Sequence, residues 1–128
     1  MRNLTNLIHK IRQDLFYKNF NKVIKETSGL IKNDKIIIAV SGGLDSISLL
    51  FLLEAINIFE IVVVHINHKI RLNSDSDEQY VKLLSKKMGL KFVSKSLNPK
   101  TISKSESIEE WARKKRYEFL KESLKKTK

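Results

Sequence analysis

The segment that most limits what this chain can fold into is Ser41-Gly42-Gly43-Leu44-Asp45-Ser46, which stands between two apolar runs of different kinds. Before it, Lys35-Ile36-Ile37-Ile38-Ala39-Val40 is a short β-branched stretch of the kind that forms a strand buried on both faces. After it, residues 47–57 are apolar almost all round, which predicts a buried helix. Strand, glycine turn, buried helix is the opening unit of a parallel α/β sheet, and such sheets bind ligands at the carboxyl ends of their strands.

The rest of the chain continues that alternation. Glu60 to Ile66 reads as a second buried strand, and residues 67–76 read as a polar loop. Ser76 with Gln79 predicts a capping box, and Tyr80, Val81, Leu84 and Met88 give the helix behind it an apolar face that ends at Gly89. Lys91-Phe92-Val93-Ser94 reads as a weaker third strand, Asn98-Pro99 as a turn, and Ser107 with Glu110 as the cap of a last helix with Trp111, Ala112 and Phe119 in its core face. Ahead of the sheet, Leu4, Leu7, Ile8, Ile11 and Leu15 recur at helical spacing, Phe16 to Ile24 extend the pattern as a second helix, and Gly29 stops it. The organisation expected is a helical segment over 1–31, an α/β domain over 32–124 with right-handed crossovers, and a basic tail over 125–128.

The glycine loop sets the chemistry. Gly42 and Gly43 allow backbone angles that a Cβ forbids and let the chain approach a phosphate closely. The helix start behind them aims unpaired N–H groups and the positive end of a dipole at one point. Ser41 and Ser46 add hydroxyls, while Asp45 would be repelled by bare phosphate and suits a Mg²⁺ ion bridging phosphates. A Walker loop requires a lysine after its last glycine and a dinucleotide fingerprint requires GxGxxG; neither is present.

Composition excludes some classes and leaves others open. Among 128 residues there is no cysteine, so disulfides, zinc-thiolate sites and a cysteine nucleophile are ruled out. The longest apolar run, near 47–59, is broken by Ser48, Glu54 and Asn57 and is too short for a membrane span, so a cytoplasmic location is expected. Lys and Arg number 25 against 14 acids, a formal charge of +11. That charge fits a polyanionic partner such as RNA, and equally a set of solvated helix faces, because the lysines are spread rather than clustered.

The hexapeptide resembles the SGGxDS motif of PP-loop ATPases, which cleave ATP between its α- and β-phosphates. Within that superfamily, His65-Ile66-Asn67-His68-Lys69-Ile70-Arg71, then Ser74 and Asp77-Glu78, resemble the pattern of tRNA(Ile)-lysidine synthetases, with Ile70 in place of the usual leucine. Glu109-Glu110-Trp111-Ala112-Arg113-Lys114-Lys115-Arg116-Tyr117 resembles that family's Glu-x-x-Ala-Arg-x-x-Arg-Tyr helix. The resemblance covers residues 35–120 and implies a Rossmann-like, adenine-nucleotide α-hydrolase-like PP-loop fold, truncated relative to the family.

By that resemblance the cofactors are ATP and Mg²⁺, and the substrates are an isoleucine tRNA with a CAU anticodon and free L-lysine. ATP adenylates the C2 oxygen of the wobble cytidine and lysine then displaces AMP. Ser41, Gly42, Gly43, Leu44, Asp45, Ser46 and the backbone of Ile66 are expected around the nucleotide, with Asp45 on the metal and Asp45 and Arg113 as catalytic groups. His65, Asn67, His68, Arg71 and Arg116 are expected to meet substrate or RNA, although each also has an ordinary structural use. Asp77 and Glu78 read as helix N-terminal charges rather than metal ligands. A His-His and acidic segment usual after the Arg-Tyr helix has no match here, so a single chain is expected to show little lysidine-forming activity and to leave a sheet edge for a second copy or a complementing C-terminal chain. The alternatives are a 2-thiocytidine-type PP-loop enzyme, an inactive nucleotide- or RNA-binding remnant, and half of an amidotransferase-type synthetase.

Overall fold

A computed structural model describes residues 2–69 and 74–127. Two helices, α1 (Arg2–Gln13) and α2 (Leu15–Thr27), precede the alternating part. There follow β1 (Lys35–Ala39), α3 (Leu44–Ile56), β2 (Glu60–Asn67), α4 (Ser74–Lys87), β3 (Lys91–Ser96), a short 3-10 turn at Pro99–Thr101, and α5 (Ile108–Thr127). The strands form one parallel sheet in the order β1-β2-β3, with Lys35 beside Glu60 and Val62 beside Lys91. The parallel α/β fold expected from the sequence is the fold observed.

The period of two along β2 explains why it sits at the centre. Ile61 and Val63 point into one core with Leu50, Leu53, Ile56, Val81 and Tyr17. Val62, Val64 and Ile66 point into the other, against Trp111, Phe119 and Leu97. α1 to α4 therefore cover one face and α5 the other, and a strand covered on both faces needs the apolar run that Ile61–Val64 and Ile66 supply, interrupted by the buried His65. α1 and α2 share the first core through Ile8, Ile11, Tyr17, Phe20 and Ile24.

Several boundaries differ from expectation, each for a physical reason. The break between α1 and α2 falls at Asp14, whose carboxylate accepts from the Phe16 N–H at 2.8 Å and so caps α2. α4 begins at Ser74, which puts Ser76 inside its first turn instead of at a cap. The Asn67 amide donates to the Asp75 carboxylate at 2.8 Å and fastens that turn to the end of β2, while Asp75 and Asp77 complement the helix dipole there. α3 is buried only along Leu50, Leu53, Ala55 and Ile56, while Leu44 is 82% exposed. α5 continues through Thr127, so the expected basic tail is helical as far as it is described. Its expected cap is present, the Ser107 hydroxyl accepting from the Glu110 N–H at 3.1 Å. Among the described residues no helix is long and apolar enough to cross a membrane.

Candidate nucleotide and substrate site

The carboxyl end of β1 is tied to β2 before the glycine loop begins. The Val40 N–H donates to the Val64 carbonyl at 2.9 Å, and the Val40 carbonyl lies 2.7 Å from Nδ1 of the buried His65. That anchorage fixes where the loop departs. Ser46 then holds the loop closed. Its Oγ accepts from the Ser41 N–H at 3.1 Å and donates to the Gly43 carbonyl at 3.1 Å. With the Ser46 proton so placed, the Ser41 hydroxyl donates across the 3.1 Å Ser41–Ser46 contact. Ser41 Oγ also accepts from the Gly43 N–H at 3.2 Å. The serines, expected as donors to phosphate, both shape the loop in this structure.

The two glycines do different things. Gly42 has φ +97°, and a Cβ there would lie 3.4 Å from Cβ of Asp77 on α4. Gly43 is extended, with φ −75°, and forms the N-cap of α3 without a side-chain hydrogen bond. The first intrahelical bond of α3 runs from the Ile47 N–H to the Gly43 carbonyl, so the N–H groups of Leu44, Asp45 and Ser46 precede the ladder. An uncapped helix start with its amides pointed outward from a glycine corner fits a phosphate group. Asp45 stands exposed in the first turn of that helix.

Two clefts open at the strand ends. The smaller, about 190 Å³, is lined by Ser41, Ser46, Ile66, His68 and Arg116 among others. The larger, about 420 Å³, runs past Ser41, His65, Ile66, Asn67 and His68 to Asp77 on α4 and to Ile108, Glu109 and Ala112 on α5. The structure thus brings the loop, the end of β2 and Arg116 together. Arg113 is exposed and its guanidinium lies 5.8 Å from the Tyr117 ring centroid, and it is not among the residues lining either cleft. Arg71, also expected at the site, lies outside the described residues.

Beside the larger cleft, Asn67 has an internal structural use. It is 1% exposed; its amide donates to Asp75, and its Oδ1 accepts from the Lys69 N–H at 3.0 Å. Lys69 itself adopts φ +59° and its ammonium bonds Asp75. The hydrogen bonds from Lys69 and then Asn67 hold the Asp75 carboxyl below its ordinary range, and the bond to Asp75 raises Lys69 above its own. Ser74, Asp77, Ile108, Glu109 and Ala112 line the larger cleft without having an expected site role, Asp77 and Glu109 being the acids among them. In the sequence, Asp77 stands three residues after Ser74 within the lysidine-synthetase-like pattern, and Glu109 opens the Glu-x-x-Ala-Arg motif.

With this geometry in place, similarity to known proteins becomes informative. Residues 13–128 match the family described as the PP-loop domain. The chain belongs to the PP-loop family. A tRNA(Ile)-lysidine synthase of Petrotoga mobilis is 40% identical over 119 residues, which cover 89% of this chain and 38% of that protein. One from Persephonella marina is 34% identical over 113 residues, 84% of this chain and 25% of that protein. One from Clostridioides difficile is 41% identical over 113 residues, 80% of this chain and 24% of that protein. This PP-loop chain therefore spans between about a quarter and two fifths of the length of those relatives. Its fold also matches a solved U34-tRNA thiolase of Methanococcus maripaludis with TM-score 0.56, 18% identity, and coverage of 71% of this chain and 35% of that one.

Proposed function

We propose that the chain forms the ATP-binding part of a tRNA(Ile)-lysidine synthase, with Mg·ATP held at the Ser41–Ser46 corner. The observation that carries this reading is the uncapped start of α3 behind Gly42 and Gly43, beside a cleft that includes Arg116. The similarity of most of the chain to lysidine synthases supports this activity over other PP-loop chemistries.

In this reading the amides of Leu44, Asp45 and Ser46 hold the departing pyrophosphate, and Asp45 holds the Mg²⁺ that offsets its charge. Ile66, buried and shared by both clefts, supplies apolar surface and backbone groups to the nucleotide. Arg116 faces the α-phosphate as charge develops there, and Arg113 with Tyr117 serves the RNA approaching from outside. The wobble cytidine of a CAU-anticodon tRNA attacks the α-phosphorus through its C2 oxygen and pyrophosphate leaves. The amine of free lysine then bonds to C2, the C2–O bond to AMP breaks, and the amine gives up a proton. His65 and His68 line the cleft in which that exchange occurs.

A chimera tests the proposal. Residues 13–120 of this chain replace the matching stretch of the Petrotoga mobilis relative, and ATP, labelled lysine and an isoleucine tRNA transcript are supplied. Lysine incorporation that is lost in the Asp45→Ala chimera is the expected result. A folded chimera that binds the tRNA but forms neither AMP nor lysidine would overturn the proposal.

A further inference from the structure

His65 is the one residue that breaks the apolar run of β2 between Ile61 and Ile66, and it does so while only 3% exposed. A polar ring in that place weakens a core unless a hydrogen bond compensates it. The compensating bond joins Nδ1 to the Val40 carbonyl at 2.7 Å, and because a carbonyl only accepts, Nδ1 carries the proton. The bond sits where the two strands part. β1 and β2 pair in register as far as Ala39 beside Val64, and the Val40 N–H still reaches the Val64 carbonyl. One more step of a parallel ladder would set the Val40 carbonyl on the N–H of Ile66. In this structure the His65 ring takes that carbonyl.

The Val40 carbonyl and the Ser41 N–H belong to one peptide group, which is planar. His65 holds its oxygen end, and Ser46 Oγ accepts from its N–H end at 3.1 Å. Two side chains, one from β2 and one from α3, therefore grip opposite ends of the plane from which the glycine loop departs. If the oxygen is released, the plane can turn about the chain, and the Ser41 N–H then leaves Ser46. Ser46 also donates to the Gly43 carbonyl, so the disturbance passes to the start of α3. The smaller cleft opens at this parting, with Val40, Ser41, Ser46, Val64 and Ile66 in its lining. Asn67, two residues further along the same face of β2, fastens the next loop in a similar way through Asp75.

We infer that His65 is a positioning residue for nucleotide binding, its Nδ1–H fixing the Val40–Ser41 peptide against Ser46 and so setting the orientation of the glycine loop. This rests on the function proposed above and deepens it, by adding a group that acts on the nucleotide only through the loop. An apolar residue at position 65 would continue the core of β2 and lose that grip, because it has no donor for the Val40 carbonyl.

The test compares the isotope-labelled full chain with His65→Asn, His65→Gln and His65→Leu. The asparagine amide nitrogen stands as many bonds from Cβ as Nδ1 does, so it can keep the bond to Val40. Glutamine carries its nitrogen one bond further out, and leucine has none. Amide NMR signals of Ser41, Gly42, Gly43 and Ser46 are read without ligand, and affinity for α,β-methylene-ATP with Mg²⁺ is read well below each melting temperature. Glutamine and leucine should displace the four loop signals and weaken nucleotide binding about tenfold. Asparagine should restore the signals and bind within about threefold of the wild type. A role in stability alone would lower Tm and leave the folded variants at wild-type affinity, and that result would overturn the inference. Undisturbed loop signals in His65→Gln, or asparagine no better than glutamine, would overturn it as well. If the leucine variant does not fold, the asparagine–glutamine pair decides. A wild-type chain that binds no nucleotide, with the loop signals still displaced in His65→Gln, would count against the ATP reading and support the grip of His65 on the loop.

Discussion

Replacing Gly42 and Gly43 one at a time by alanine should separate two reasons for a glycine. At Gly42 the added Cβ would meet Asp77 Cβ at 3.4 Å and Val81 Cγ2 at 3.7 Å, which are ordinary contact distances. Crowding is therefore a small part of the cost. The backbone at φ +97° is the larger part, about 1–3 kcal/mol for a residue with a side chain. At this chain length each kcal/mol lowers Tm by about 3–5 °C, so Gly42→Ala should lose about 3–15 °C. Gly43 is extended at φ −75° and carries no such strain. Alanine there should change stability by about 0.5 kcal/mol or less, since the poorer cap is offset by a stiffer unfolded chain. Its methyl would sit 3.4 Å from Ser41 Oγ, at the phosphate corner. Gly43→Ala should therefore weaken Mg·ATP binding about tenfold or more while melting near the wild type. Urea unfolding and isothermal titration read the two effects. Wild-type stability in Gly42→Ala, or wild-type ATP affinity in Gly43→Ala, would refute the division of roles.

Other consequences follow from single contacts. Arg116→Ala should weaken ATP binding roughly 10- to 100-fold, the loss expected for one charged hydrogen bond, while Arg113→Ala should leave ATP binding within about twofold. The reverse order in a titration would restore Arg113 as the phosphate ligand. Asn67→Ala should cost about 1–3 kcal/mol in urea unfolding, because it leaves the Lys69 N–H without its acceptor and loosens Asp75. Burial raises the carboxyl of half-buried Glu54, with Arg12 opposing, so the folded state binds that proton more tightly than the unfolded chain. The charged form then costs stability at neutral pH, and Glu54→Gln should stabilise by up to about 1 kcal/mol there. That gain should fade as pH falls through the raised pKa, and a gain that grew on acidification would contradict the sign.

β1 and β2 were legible because each is a compact β-branched run, and β2 in particular alternates between two cores, whereas β3 has only Val93 of that type and was the weaker signal. The glycine corner was legible because its residue types are unusual for an ordinary turn. Helix starts were less so. Asp14 caps α2 from within a continuous helical pattern, and α4 starts at Ser74 because Asn67 bonds Asp75, a contact between elements that no local motif records. At the site, motif spacing could not say which arginine of α5 faces the loop, since Arg113 and Arg116 are near one another on the helix and the packing of Trp111 and Phe119 sets its rotation. Asp77 read as a helix-dipole charge, a role it can hold while also bordering Gly42. His65 gave no sign in the sequence of the carbonyl that fixes its tautomer.

The most direct test of the account is a crystal structure of the chain with α,β-methylene-ATP and Mg²⁺. The account predicts the β- and γ-phosphates on the amides of Leu44, Asp45 and Ser46, the metal on Asp45, and Arg116 turned toward the α-phosphate. Nucleotide bound away from that corner, with the Ser41–Ser46 loop untouched, would contradict it.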